Sequence, residues 1–93
     1  MNQPAQTGGK RILLGEARRG FAGFVREIDT GASSSALENV ELERRLLELG
    51  FLEGVRVEVL HEGAIGRDPI AVRVDNITVA LRRREAMAIV LAD

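Results

Sequence analysis

The sequence predicts a mainly β domain: a small antiparallel barrel of about five strands, with one α-helix inserted after the first strand. Three observations predict it. Short runs alternate apolar and polar residues and are punctuated by Gly, Asn and Asp. A single stretch carries helical spacing. The strand-helix-strand alternation that a parallel sheet would need is missing. At 93 residues the chain can bury one small core and not two. Hydrophobic residues make up 45% and charged residues 29%, an ordinary globular balance that confines disorder to the ends.

Residues 1–10 (MNQPAQTGGK) are polar and aperiodic and end in Gly-Gly, so they read as a flexible leader to a domain over residues 11–93. Gly9-Lys10 does not complete a phosphate loop, because Pro4 stands where the first glycine is needed and Arg11 where the Ser or Thr is needed. Ile12, Leu13 and Leu14 form a short apolar lead-in, and Gly15 to Gly20 reads as a turn. Phe21 to Ile28 reads as the first strand, with Gly23 permitting a bulge or a close backbone approach. Asp29 to Ser35 is a loop of small polar residues. Ser35 with Glu38 spells a capping box, although Asn39 could cap a shorter helix.

Glu41 to Leu60 organises the rest. Leu42, Leu46 and Leu49 fall at i, i+4 and i+7 with Leu47 beside them, which makes one side of a helix apolar. Glu43, Arg44, Arg45 and Glu48 take the other side, with Glu41 spaced to pair with Arg45. Gly50 supplies the left-handed stop, Gly54 closes a short turn, and Val55, Val57 and Val59 alternate as a half-buried strand. His61 to Pro69, interrupted by Gly63 and Gly66, reads as a connecting loop. Ile70, Val72 and Val74, then Ile77, Val79 and Leu81, form two alternating runs around Asp75-Asn76, a hairpin in which Asn tolerates positive φ. Arg82 to Met87 is a basic turn or single helical turn, and Ala88 to Leu91 is the last strand. Closing such short strands into an SH3-like barrel disposes of exposed sheet edges.

Composition excludes several functions. Without cysteine there is no disulfide, thiolate metal site or thiol catalysis. No apolar run is long enough to span a bilayer and the N-terminus lacks a signal-peptide core, so a cytoplasmic protein is expected. A net charge of -1, with three Phe and no Tyr or Trp, argues against nucleic-acid binding. The single histidine has no nucleophile motif near it, and no carboxylate pair is set up for acid-base work, so no catalytic residue and no cofactor is expected.

The remaining candidates are few. Arg82, Arg83 and Arg84 form the one concentrated basic run and could grip an acidic partner, with Arg44 and Arg45, or phosphate, or stand as an exposed turn balanced by Glu85. His61, Glu62 and Asp68 are weak candidates for a transition-metal site, and Glu38 with Glu41 for a hard cation; solvated surface residues are the plainer reading of both.

The segment LERRLLELGFLEGVRVEVL, the Gly66-Arg67-Asp68-Pro69-Ile70 loop and VALRRREAMAIVL together resemble the FeoA family, the ferrous iron transport protein A domain, from about Arg11 to Leu91. The signature is an order of elements: a leucine-rich helix through Leu46 and Leu49 to Gly50, Gly54 in the turn, Asp68-Pro69 before a strand, and Leu81-Arg82 before Glu85-Ala86. Two positions depart from it, Ala64 where a proline is expected and Arg67 as an insertion between Gly66 and Asp68. The resemblance implies an SH3-like barrel acting as a small cytoplasmic accessory of ferrous iron uptake. It would be a protein-interaction module docking on the cytoplasmic part of the FeoB-type membrane transporter and modulating it, without being membrane-inserted itself. Homo-oligomers are compatible with this reading. Similar barrels in metal-dependent repressors imply the alternative, a metal-responsive domain binding Fe or Zn.

Overall fold

The computed structural model describes residues 11–31 and 35–92, so the expected leader Met1 to Lys10 lies outside the described residues. Six strands form one antiparallel sheet: β1 (Ile12–Leu13), β2 (Ala22–Ile28), β3 (Arg56–Ile65), β4 (Asp68–Val74), β5 (Ile77–Leu81) and β6 (Ile89–Ala92). A 3-10 turn (Leu14–Glu16) follows β1, helix α1 (Ala36–Glu48) lies between β2 and β3, and the short helix α2 (Arg83–Ala86) lies between β5 and β6. The spatial order is β1-β6-β2-β3-β4-β5. The expected mainly β fold with one main helix is the observed one. The order nevertheless has two ends, β1 and β5, each paired on one side only among the described residues, so the edges that closure was expected to remove are still present. The added strand is the lead-in Ile12–Leu13, which pairs with Val90 and Leu91, so α1 follows the second strand rather than the first.

Helix α1 starts where its capping box places it. The Ser35 hydroxyl accepts the Glu38 N–H at 3.2 Å and the Glu38 carboxylate accepts the Ser35 N–H at 3.4 Å. It ends in a Schellman motif: Phe51 N–H donates to Leu46 C=O, Gly50 N–H donates to Leu47 C=O, and Gly50 takes a φ of 106°. Leu46 and Phe51 are both fully buried, so the motif plants the helix terminus in the core.

That core is one cluster. Val25, Val57, Val59, Val72, Val74, Leu81, Ile89 and Leu91 enter it from the sheet, Leu14 from the 3-10 turn, and Leu46 with Phe51 from the helix end. No polar or charged side chain is buried among the described residues.

Three sequence expectations change. His61 to Pro69 is not a loop. β3 runs on to Ile65, a two-residue turn at Gly66-Arg67 follows, and β4 begins at Asp68. Gly66 and Arg67 have φ of 68° and 60°, the left-handed pair whose twist suits a tight hairpin, so Arg67 is a residue of the turn itself. Register shifts between Val59 and His61 and between Glu62 and Ile65 break the alternation that would have marked the strand. Gly63 lies inside β3 because a Cβ there would come within 2.2 Å of the Asp68 carbonyl oxygen. At the next hairpin the positive φ, 55°, falls on Asp75 rather than on Asn76. In β2 the irregularity lies between Val25 and Glu27, while Gly23 instead leaves room for the Phe21 ring.

Candidate interaction surface

The basic run does not form one face. Arg83 turns inward, because α2 directs it at three orphaned carbonyls and one carboxylate. Its Nη1 donates to Ala17 C=O at 2.7 Å and Gly15 C=O at 3.1 Å, its Nε to Arg67 C=O at 2.8 Å, and its Nη2 to Glu62 at 2.6 Å. The Arg83 N–H donates to the Asp68 carboxylate at 2.9 Å. The planar fork of arginine suits this four-way clamp, and only 19% of the side chain is exposed. Arg82 and Arg84 point outward and have no ion-pair partner among the described residues. Arg83 is therefore a corner post of the fold, which splits the triplet proposed for partner binding.

The same clamp disperses the weak metal candidates. Glu62 is paired with Arg83, Asp68 accepts the Arg83 N–H, and His61 is exposed on β3. No group of three or more His, Cys, Asp or Glu converges among the described residues. Glu38 is committed to its capping box.

On α1, Arg45 pairs with Glu85 of α2 instead of the expected Glu41, and Arg44 pairs with Glu48 at 3.6 Å. Glu85 also accepts the Arg82 N–H at 3.0 Å, so one carboxylate caps α2 and fastens it to α1. The helix carries two apolar stripes. One, through Leu42, Leu46 and Leu49, packs on the core as expected. The other consists of Leu37, Val40 and Leu47, which are 69%, 62% and 42% exposed. Their spacing of three and seven places them together on the opposite side, with exposed Arg44 between Val40 and Leu47. Leu47, grouped by sequence with the core leucines, belongs to this outer stripe. Proximity in sequence concealed that it points away from Leu46.

Sequence reasoning also missed a groove of about 430 Å³ lined by Ile12, Leu13 and Phe21 and rimmed by Arg11, Arg18 and Arg19. Only the GEARRG turn marked it. Arg11 donates to Asp29 at 2.8 Å and Gly31 N–H to the same carboxylate at 3.0 Å. The Arg11 hydrogen bond, then the Gly31 hydrogen bond and the Arg11 charge, hold the Asp29 carboxyl below the usual aspartate value. No helix is long and apolar enough to cross a membrane among the described residues.

Comparison with known proteins gives this geometry a context. The FeoA domain profile matches residues 12–93. The structure is similar to that of Stenotrophomonas maltophilia FeoA complexed with zinc, described as a prokaryotic SH3 domain protein and a candidate ferrous iron transport activating factor. The two share 30% identity over 87% of this chain and 89% of that one, with a TM-score of 0.70. An FeoA-like protein from Clostridium acetobutylicum gives a TM-score of 0.71 at 25% identity, over 90% and 87% of the two chains. A manganese-dependent transcriptional repressor matches at TM-score 0.68 and 27% identity, covering 87% of this chain and 40% of the repressor. No curated protein sequence matches. A capped helix docked by its end on a small antiparallel sheet, matched in sequence across the described strands, thus places the chain in the FeoA domain family.

Proposed function

We propose that this protein is a cytoplasmic accessory of ferrous iron uptake that docks on the cytoplasmic part of an FeoB-type transporter and modulates it. One observation carries the reading: α1 spends one apolar stripe on the core and holds a second, Leu37, Val40 and Leu47, outward. Exposed apolar residues aligned on a helix fit docking into a partner groove. Of the exposed arginines, Arg82 and Arg84 have no ion-pair partner among the described residues and are the ones available to an acidic partner, whereas Arg44 and Arg45 are paired with Glu48 and Glu85. The lack of buried polar side chains among the described residues gives chemistry no interior foothold.

The test is binding of the purified chain to the cytoplasmic part of the transporter. Association is expected, and Val40→Glu or Leu47→Glu should weaken it about tenfold or more, because apolar anchors dominate such interfaces. A folded chain showing no association would refute the proposal. The metal-responsive alternative has less support, since two of its three candidate ligands, Glu62 and Asp68, are engaged by Arg83.

A further inference from the structure

Strand β5 lies at the end of the sheet order and pairs on one side only, with β4. Its ladder runs from Val74 opposite Ile77 to Ile70 opposite Leu81 without a bulge. The two-residue turn makes Val74 and Ile77 the first pair to exchange both hydrogen bonds, and alternation then assigns Val79 and Leu81 to the same side. The Asp75 N–H agrees, donating to Arg56 of β3 on the far side of β4. The N–H and C=O groups of Thr78 and Ala80 therefore point away from the sheet. Both residues are exposed, and no hydrogen-bond partner reaches these groups among the described residues.

Sheet edges are ordinarily blunted by lysine, proline or a bulge. β5, Ile-Thr-Val-Ala-Leu, carries none of these and no charge. Beside this bare edge Ile77 is 59% exposed. The charges sit only at the ends: Asp75 before the strand and Arg82 after it, neither with an ion-pair partner among the described residues.

We propose that β5 is a dimerisation edge whose occupant is β5 of a second copy, paired antiparallel about a two-fold axis through Val79. This register alone keeps every paired residue within Ile77–Leu81. Thr78 of each copy exchanges both main-chain bonds with Ala80 of the other, while the half-buried Val79 of each copy faces its counterpart at the axis and Leu81 stays enclosed in its own core. The same register sets Asp75 of each copy opposite position 83 of the other, one residue along from the exposed Arg82 and within reach of its long side chain, so opposite charges flank both ends of the isologous contact. A neutral middle with opposite charges at its two ends is self-complementary in the antiparallel sense and repulsive in the parallel one. The contact is small, so the dimer depends on concentration.

Sedimentation of the purified chain over a concentration series, combined with residue-resolved amide exchange, tests this. The wild-type protein should pass from monomer to dimer as concentration rises. Over the same range the Thr78 and Ala80 amides should gain protection, while Val79, already bonded to β4, stays protected throughout. Thr78→Lys and Arg82→Glu should each weaken the dimer about tenfold, and Asp75→Lys combined with Arg82→Glu should restore it. A chain that stays monomeric, or a dimer formed with Thr78 and Ala80 still unprotected, would overturn the proposal. The exchange measurement requires no variant.

Discussion

At the scale of the residue, two arginines illustrate how little the charge of a side chain says about its work. Arg83 satisfies carbonyls of Gly15, Ala17 and Arg67 as well as Glu62, joining segments distant in sequence. Replacing it by Ala should cost about 3 kcal/mol, because the abandoned groups are largely shielded from water. Arg83→Lys should recover only part of that, since an ammonium cannot span the fork; chemical denaturation would measure both. Arg11 acts at the surface. With the folded-state value of Asp29 lowered, the contribution of the pair is present above the unfolded value, near pH 4, and disappears as pH falls through the folded one. Arg11→Ala should therefore narrow the stability difference between neutral and strongly acidic solution, read from melting curves across that range. Neither role is legible in the chain, because both depend on partners brought together by the fold. The triplet Arg82-Arg83-Arg84 reads as a uniform patch until α2 assigns alternate directions to its members.

At the scale of the element, helix α1 shows which local signals survive folding. Its stop was readable to the residue and its start to two candidate caps, Ser35 and Asn39, of which Ser35 is the one used, since Ser35, Glu38 and Gly50 act through contacts within one turn of themselves. The hairpin around Asp75-Asn76 was readable for the same reason. The long β3-β4 hairpin was not, because its bulges erase the alternation and its turn uses Arg67 in a conformation that arginine seldom adopts. The two stripes of α1 predict opposite outcomes. Leu46→Ala should lower stability by about 2–5 kcal/mol, since Leu46 is fully buried. Val40→Glu should leave stability within about 0.5 kcal/mol, and Leu47→Glu nearly so, because both are solvent-facing. Equilibrium denaturation of the three variants checks the assignment and identifies those fit for binding studies.

At the scale of the whole molecule, a single apolar cluster receives side chains from the sheet, the 3-10 turn and the helix end. One core predicts one cooperative transition, with circular dichroism and calorimetry giving the same midpoint. Two separated transitions would mean that helix and sheet are independent units. The architecture was legible in the sequence as a class, because alternation, a solitary helical stretch and turn residues are all short-range patterns. The sixth strand was hidden, since two residues cannot display a period.

The way α1 is fastened bears on how it moves. Its C-terminal half is anchored in the core through Leu46 and to α2 through Arg45, whereas the first turns are held only at the surface, by the Ser35 cap and the bond from the Asn39 side chain to Gly31 C=O, with Leu37 and Val40 in water. Deuterium labelling should find the amides of Asn39 to Glu41 opening far more often than those of β3 and β4, as a lever lifts from its free tip. A surface that breathes in this way can adjust its pitch to whatever it meets while the rest of the molecule stays still.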